Sequence, residues 1–523
     1  MVVEVLNLDG KVDKDKLYQR RKRTNIYVAV SIIFLILGVA ALGVICGMYY
    51  ATQLAKTQFG IIFDAGSSHT TMYLYEWEGE KVNGTGDVAE RLVCEVEGGG
   101  LTDYTDMPEE AGSSLTKCLN MAAHNISWAS KQFTPVYLGA TAGMRLLRLK
   151  DVSSAETIME SVKTEVKGSG FQVTDIDQQV KILSGQEEGI GLWVTANFLA
   201  GTLGLKLFPS QSQLLPTGTE ETIGSMDLGG ASTQISFATS ENAVAPLKGV
   251  VELSLFSRDL TVFSNSYLCF GATEMRNQVL AILTKEAGYQ GTVLHPCYVR
   301  GAETDMEYSG IFASVCTNSY ASSTIVNGTI KVVGVGNNSE CENVMAQLFQ
   351  HSPYFTDLGA TVPQRLVGRG ALAYAVKDLS WQNPVSQINY TTFVQLMNDW
   401  CLSNHSDIMQ IDIYDPTTIC INTHYIHYLL SKAYKIEEDQ WANILFSNKL
   451  NGVSLGWSLG YMANLTSAIP HAKLDLYEIS LTVFIVVLII SLVLVILAII
   501  AFALACQFRR ATYRALQQVN QPF

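Results

Sequence analysis

Two uncharged apolar runs, Ile26 to Tyr50 and Ile479 to Cys506, stand near the ends of this chain. Each exceeds the roughly 20 residues a helix needs to cross a bilayer. Arg20-Arg21-Lys22-Arg23 precedes the first, and Arg509, Arg510 and Arg514 follow the second. The positive-inside rule therefore puts both termini in the cytoplasm and the long middle segment outside the cell or in a lumen. A cleaved signal peptide is the competing reading of the first run, but its apolar region would be only about 7–15 residues long.

The middle segment carries independent marks of an oxidising, glycosylating compartment. N-x-S/T sequons occur at Asn83, Asn125, Asn327, Asn337, Asn389, Asn404 and Asn464. Cys94, Cys118, Cys269, Cys297, Cys316, Cys341, Cys401 and Cys420 lie there too, with no C-x-x-C pair to suggest zinc. Disulfides are the simpler reading, and their connectivity stays open on spacing alone. Cys46 and Cys506 sit inside the apolar runs as filler, with Cys506 near the cytoplasmic edge a candidate for acylation.

A chain of 523 residues with 48% hydrophobic content has room for two or three full-sized cores. Its formal net charge of -13 excludes a nucleic-acid partner, which needs a basic face, but not a small nucleotide carried with a divalent cation.

Within the middle segment, Gly60-Ile-Ile-Phe-Asp64-Ala-Gly66-Ser67-Ser68-His69-Thr70 reads as a strand, a tight loop and the start of a second strand. Gly66 permits close backbone approach, so N–H groups flanked by the hydroxyls of Ser67, Ser68 and Thr70 can surround a phosphate. Asp64 stands where a phosphate-bound cation would sit. One such loop is an ordinary hairpin turn. The pattern returns at Asp227-Leu-Gly229-Gly230-Ala231-Ser232-Thr233-Gln234, which suggests two related lobes facing one phosphate chain.

Other segments fill in the order. Pro135 to Leu147 is a buried strand entering a small-residue turn and a helix, with Thr141 at the strand's C-terminal end, where α/β sheets contact ligands. A plain strand-to-helix turn is the alternative there. Glu187 and Glu188 open an apolar helix, either as complements to its macrodipole or with one of them as a base. Gly456-Trp457-Ser-Leu-Gly460 predicts tight backbone packing around a core tryptophan. Helices are also expected over Pro108 to Lys131, Val152 to Val166, Ala371 to Asp378, Phe393 to Cys401 and Thr423 to Tyr434. Irregular structure is expected before Thr24, from Ala51 to Gln58, and from Ser352 to Arg369.

No G-x-x-x-x-G-K-[ST] or H-E-x-x-H occurs, so neither a P-loop nor a zincin site is present. Phosphoanhydride hydrolysis needs a hard cation, donors around the developing charge and a base that aligns an in-line water. Asp64, Asp227, the two Gly-rich loops and Glu188 can supply these parts.

Five segments come in one order: Asp64-Ala-Gly-Ser-Ser-His-Thr, Gly139-Ala-Thr-Ala-Gly-Met-Arg, Gly185-Gln-Glu-Glu-Gly, Asp227-Leu-Gly-Gly-Ala-Ser-Thr-Gln and Gly456-Trp-Ser-Leu-Gly-Tyr-Met. Together they resemble the apyrase conserved regions of the ecto-nucleoside triphosphate diphosphohydrolases. The resemblance implies an α/β fold of two actin/hexokinase-like (RNase H-like) lobes with the nucleotide in the cleft between them, plus terminal transmembrane helices. The boundaries expected are 1–25 and 507–523 for the cytoplasmic tails, 26–50 and 479–506 for the spans, 51–184 for lobe I, 185–451 for lobe II and 452–478 for the return to lobe I and the linker.

The same resemblance implies Glu188 as catalytic base, with Ser232 and Gln234 holding the attacking water. Ser67, Ser68, His69, Thr141, Gly230 and Ala231 would line the phosphates. Asp64 and Asp227 would position Ca2+ or Mg2+, largely through its waters. It implies disulfides Cys94 with Cys118, Cys269 with Cys316, Cys297 with Cys341, and Cys401 with Cys420. The chain lacks cysteines for a further short-range disulfide that many cell-surface members carry. Tyr374 matches the family's base-stacking aromatic, whereas Asp415 stands where its partner is an arginine. The activity implied is hydrolysis of the terminal phosphate of extracellular nucleoside tri- and diphosphates at the cell membrane. Partners beyond the nucleotides are the lipid bilayer and, through the membrane helices, a second copy of the chain. The rival is a glycosylated binding or adhesion receptor on the same fold without turnover.

Overall fold

The structure, a computed structural model, describes residues 13–79, 81, 83–203, 222–239, 249–324, 328–469 and 481–519. Asn327 lies outside the described residues. The chain divides into two compact units, Met1–Thr57 with Ala472–Phe523, and Gln58–His471.

The first unit is built from two helices, Lys14–Lys56 and Leu481–Val519. Both are long and apolar enough to cross a membrane. They run antiparallel: Tyr27 stacks on Phe508, Ser31 Oγ donates to the Ala498 carbonyl at 2.8 Å, and Tyr49 stacks on Phe484. Between these contacts a Cβ on Gly38 would fall 3.0 Å from Val495 Cγ2 and 3.1 Å from the Ser491 carbonyl, so the backbones meet there. Outward-facing Ile36, Val44 and Ile499 are exposed, which suits lipid.

The first helix corrects two expectations, because the segment from Lys14 to Arg23 and that from Ala51 to Lys56 are helical. Asp13 caps the start, its side chain accepting from the N–H groups of Asp15 and Lys16 at 3.1 Å. Lys and Arg are strong helix formers, and each residue added to an existing helix gains one internal bond. Missing apolar periodicity marked a largely polar helical stretch, not an irregular one.

The second unit holds two mixed sheets of matching plan. One contains β1 (Thr57–Ala65), β2 (Thr70–Glu78), β3 (Ala89–Glu95), β4 (Val136–Ala140) and β5 (Val180–Ile182), in the order β3-β2-β1-β4-β5. The other contains β6 (Gly224–Leu228), β7 (Ser232–Ala238), β8 (Val250–Leu255), β9 (Arg258–Leu268), β13 (Leu366–Gly370) and β14 (Ile444–Phe446), in the order β14-β13-β6-β7-β9-β8. In each sheet the Asp-bearing strand lies between its hairpin partner and a parallel strand, β4 for β1 and β13 for β6. A third sheet joins β10 (Thr292–His295), β11 (Glu303–Glu307) and β12 (Thr329–Gly334).

Strand β13 was expected to be part of a polar loop. Leu-Val-Gly-Arg-Gly has no period-2 signal, and only pairing on both sides, with β6 and β14, makes it a strand.

Alternating side chains distribute each sheet between two cores. Ile61 and Phe63 of β1 pack with Leu119, Ile158 and Val162 from helices on the outer face, while Ile62 points inward. On the far side, Met226 and Ile235 pack with Val279, Leu372 and Tyr425. Between the sheets lie the helices Gly185–Ala200 and Trp457–Ala468, whose Trp193, Val194, Trp457 and Met462 join Ile62, Tyr75, Val262 and Val367. These helices cross in near backbone contact: a Cβ on Gly460 would fall 2.1 Å from the Gly191 carbonyl. Thr195 Oγ1 donates to the Gly456 carbonyl at 2.6 Å and accepts from Gly460 N–H at 2.7 Å. Trp457 is thus the core tryptophan its glycine neighbours suggest.

The expected helix from Pro108 to Lys131 is broken into Glu110–Ser113, Thr116–His124 and Trp128–Lys131, with Ser127 capping the last piece. The other expected helices appear as Val152–Gly168, Ala371–Leu379, Tyr390–Cys401 and Ile419–Tyr428, the last continuing as a π turn at Leu429–Ala433. Disulfides join Cys94 to Cys118, Cys269 to Cys316, Cys297 to Cys341 and Cys401 to Cys420, while Cys46 and Cys506 are free.

Candidate active site

The two Asp loops are closed by the same bond. Gly66 N–H donates to the His69 carbonyl at 2.9 Å, and Gly229 N–H donates to the Ser232 carbonyl at 3.0 Å. The loops face each other closely, since a Cβ on Gly230 would lie 2.8 Å from Ser67 Oγ. Ser68 and His69 are exposed, with Ser68 Oγ and His69 Nδ1 3.1 Å apart. Thr141 is buried at the end of β4; its N–H and Oγ1 both donate to the Ala65 carbonyl, at 3.0 and 3.3 Å. Ala231 is buried, and its carbonyl accepts from Cys269 N–H at 2.9 Å.

The helix Gly185–Ala200 separates the two glutamates. Glu187 serves the helix start: its Oε2 accepts from Ser184 N–H at 2.9 Å, Ser184 Oγ accepts from Glu187 N–H at 3.2 Å, and Lys181 Nζ reaches Oε1 at 2.6 Å. Glu188, one residue on, points inward and is 9% exposed. Its Oε2 accepts from Arg145 Nη2 at 2.9 Å and from Gln234 Nε2 at 3.3 Å. Ser232 Oγ receives Gln234 Nε2 at 2.7 Å and Arg145 Nη2 at 3.1 Å, so both its lone pairs are engaged and its O–H remains to donate. Ser266 Oγ accepts from the same amide at 3.1 Å. Burial pushes the Glu188 carboxyl up to about 7 and outweighs the Arg145 charge, with Asp227 and Asp64 adding to the rise. A cavity of about 280 Å³ opens beside this cluster, lined by Arg145, Gln186, Ser264, Ser266 and Leu268.

Asp227 is buried, with Oδ2 accepting from Arg369 Nη1 at 2.6 Å and Oδ1 without a hydrogen-bond partner. Burial holds the Asp64 carboxyl above its ordinary range. The indole N–H of Trp457, which faces Asp64 without closing a hydrogen bond, and the Arg369 charge both oppose that rise.

Tyr374 stands on the helix Ala371–Leu379 and is 59% exposed. Asp415 Oδ1 accepts from Thr417 Oγ1 at 2.6 Å at the start of a 3-10 turn. Sequon asparagines Asn83, Asn125, Asn337, Asn389 and Asn404 are exposed, and Asn464 is half-buried.

Sequence reasoning missed three guanidiniums. Arg145 lies within a quoted motif and one helical turn past Thr141, which was the available signal. Arg369 was hidden in the misread loop. Arg276 donates to Asn422 Oδ1 at 3.1 Å and to Thr273 Oγ1 at 3.4 Å, next to the second Gly loop, and nothing local in the sequence marks it.

Residues 51–480 match the profile of the GDA1/CD39 (nucleoside phosphatase) family. The chain belongs to that family. It is 33% identical over 427 residues to mouse ectonucleoside triphosphate diphosphohydrolase 3, covering 79% of each chain. It is 34% identical over 438 residues to the chicken ectonucleoside triphosphate diphosphohydrolase 8, covering 80% of this chain and 85% of that one. The crystal structure of a nucleoside triphosphate hydrolase from Neospora caninum shares the fold at a TM-score of 0.58 and 15% identity, covering 83% of this chain and 95% of that one. The paired sheets are thus those of the actin/hexokinase-like nucleotide hydrolases of the GDA1/CD39 family.

Proposed function

We propose that this protein hydrolyses the terminal phosphate of nucleoside tri- and diphosphates, releasing orthophosphate by in-line attack of water. The observation that carries this reading is the buried Glu188–Ser232–Gln234 cluster beside two facing Asp-Gly loops. Glu188, with its carboxyl pushed up to about 7, is matched to taking a proton from water near neutral pH. Ser232 and Gln234 orient that water. Ser67, Ser68, His69, Gly230 and Ala231 hold the phosphates through N–H and O–H donors, and Thr141 joins them when its hydroxyl turns from the long 3.3 Å bond to the Ala65 carbonyl. A binding receptor without turnover has no use for a buried base so tuned.

Asp64 and Asp227 fit a hard divalent cation, because Asp227 offers a buried carboxylate oxygen with no hydrogen-bond partner. They would hold Ca2+ or Mg2+, which when bound neutralises phosphate charge. Tyr374 is the aromatic for the base. Lobe I spans 51–184 with a return at 452–478, and lobe II spans 185–451. The protein sits in the cell membrane with both termini cytoplasmic and Gln58–His471 outside, where its sequons are glycosylated; association between copies runs through the membrane helices.

Phosphate release from ATP and ADP by the purified full chain, with and without EDTA, tests the reading. Release from both nucleotides that EDTA abolishes is expected. Absence of release with Ca2+ or Mg2+ present overturns it.

A further inference from the structure

The two halves of the duplicated site carry different residues at the register position opposite the aspartate. Gly139 of β4 stands opposite Asp64, whereas Arg369 of β13 stands opposite Asp227. At Gly139 the neighbours close the position, since a Cβ there would fall 2.5 Å from both Leu183 Cδ1 and Trp457 Cη2; at Arg369 the side chain instead sets a cation beside its aspartate. Arg369 Nη1 is 2.6 Å from Asp227 Oδ2, and the two side chains are 25% and 7% exposed. The same charge acts on Asp64 across the site.

This pair is not a device for joining the strands, since the parallel ladder from Gly224 and Leu366 to Leu228 and Gly370 already does that. Nor is it a saturated ion pair. Arg369 Nε and Asp227 Oδ1 are both buried without a partner, an arrangement that costs stability unless something else is to be bound there. The next residue, Gly370, has φ +68°, and a Cβ there would meet the Leu228 carbonyl at 2.3 Å and Asp227 Oδ1 at 2.8 Å, so no side chain can stand between β13 and this carboxylate oxygen.

We propose that Arg369 is a resident cation of the phosphate site. In the nucleotide-free protein its guanidinium neutralises the carboxylates that a divalent ion needs, so the ion enters with its nucleotide and not alone. A metal–nucleotide complex brings phosphate oxygens that take over the guanidinium's hydrogen bonds, freeing Asp227 for the ion's water shell with charge balanced throughout. This rests on the hydrolase reading for the identity of the ligand, but the cation competition is measurable without turnover.

The test is titration calorimetry of Ca2+ into the nucleotide-free full chain, comparing wild type with Arg369→Gln and Arg369→Lys. The Gln variant is expected to bind Ca2+ at least about tenfold more tightly, equivalent to about 1.4 kcal/mol, and the Lys variant to stay within about threefold of wild type. An unchanged or weaker affinity in the Gln variant overturns the proposal. Should that variant fail to fold, wild type alone decides. Ca2+ at about 1 mM is expected to leave the unfolding midpoint within about 1 °C, and Ca2+ with a non-hydrolysable nucleoside triphosphate analogue to raise it by several degrees. A comparable rise with Ca2+ alone overturns the proposal. Phosphate release measured on the same preparations reports separately on the hydrolase reading.

Discussion

Arg145 holds Glu188, with Nη2 2.9 Å from Oε2 and the two side chains only 15% and 12% exposed. The guanidinium pulls the carboxyl down while burial pushes it up, and burial wins. Activity is therefore expected to rise with pH through an apparent pKa near 7 as Glu188 becomes the base. Removing the charge in Arg145→Met should move that limb to higher pH, and Glu188→Gln should cut turnover by about 10²–10⁴ while nucleotide binding persists. Because the folded-state pKa lies above the unfolded one, this group's contribution to stability is present below about pH 4.5 and is lost as pH rises through about 7. A pH profile of kcat/KM checks the first two statements; an acid limb unmoved in Arg145→Met counts against the pairing.

Glu187 should behave differently from its neighbour. Its carboxylate caps the helix and meets Lys181, so Glu187→Gln is expected to lower stability by about 0.5–2 kcal/mol and leave kcat within a few-fold. Thermal unfolding and steady-state kinetics on the same preparation separate the two effects.

The Cys401–Cys420 disulfide ties the end of the helix Tyr390–Cys401 to the start of Ile419–Tyr428, with both cysteines fully buried. Removing a native bridge typically costs about 2–5 kcal/mol in a secreted domain, so Cys401→Ser should impair folding or surface delivery. Peptide mass mapping that recovers Cys401 as a free thiol in the wild type would contradict the bridge.

Nucleotide base recognition should be weak. Tyr374 is exposed, and at the proposed base site Asp415 takes the place of a stacking guanidinium. Binding then rests on phosphates common to all nucleotides, and ATP, GTP, UTP and CTP are expected to have kcat/KM values within about tenfold. Asp415→Arg should favour purines. A wild-type purine preference well beyond tenfold points instead to another grip on the base, and Arg276 is the first residue to replace.

The candidate-site aspartates were legible because each sits in a short segment whose local pattern forces the geometry, whereas the choice of Glu188 over Glu187 came from the resemblance to the apyrase family. An Asp ending an apolar strand before a Gly turn needs no distant partner to be recognised. Arg369 was illegible for the opposite reason: β13 is a strand only because β6 and β14 flank it, and no window of its own sequence records that. The segment Lys14 to Arg23 failed differently, since its helix is held by internal bonds and carries no apolar stripe to read.

The contact between Ser31 and the Ala498 carbonyl spans 467 positions of the chain. At about 5–20 residues per second of synthesis, the first membrane helix waits roughly 25–90 s for the second. During that interval its Ser31 hydroxyl and the bare backbone at Gly38 lack the surface they later meet. The whole segment Gln58–His471, with its four bridges to oxidise, is made inside that window. Pairing of the two helices therefore cannot begin until synthesis has passed Leu481, and a chain whose translation stalls before that point leaves a lone helix whose Gly38 face has no partner.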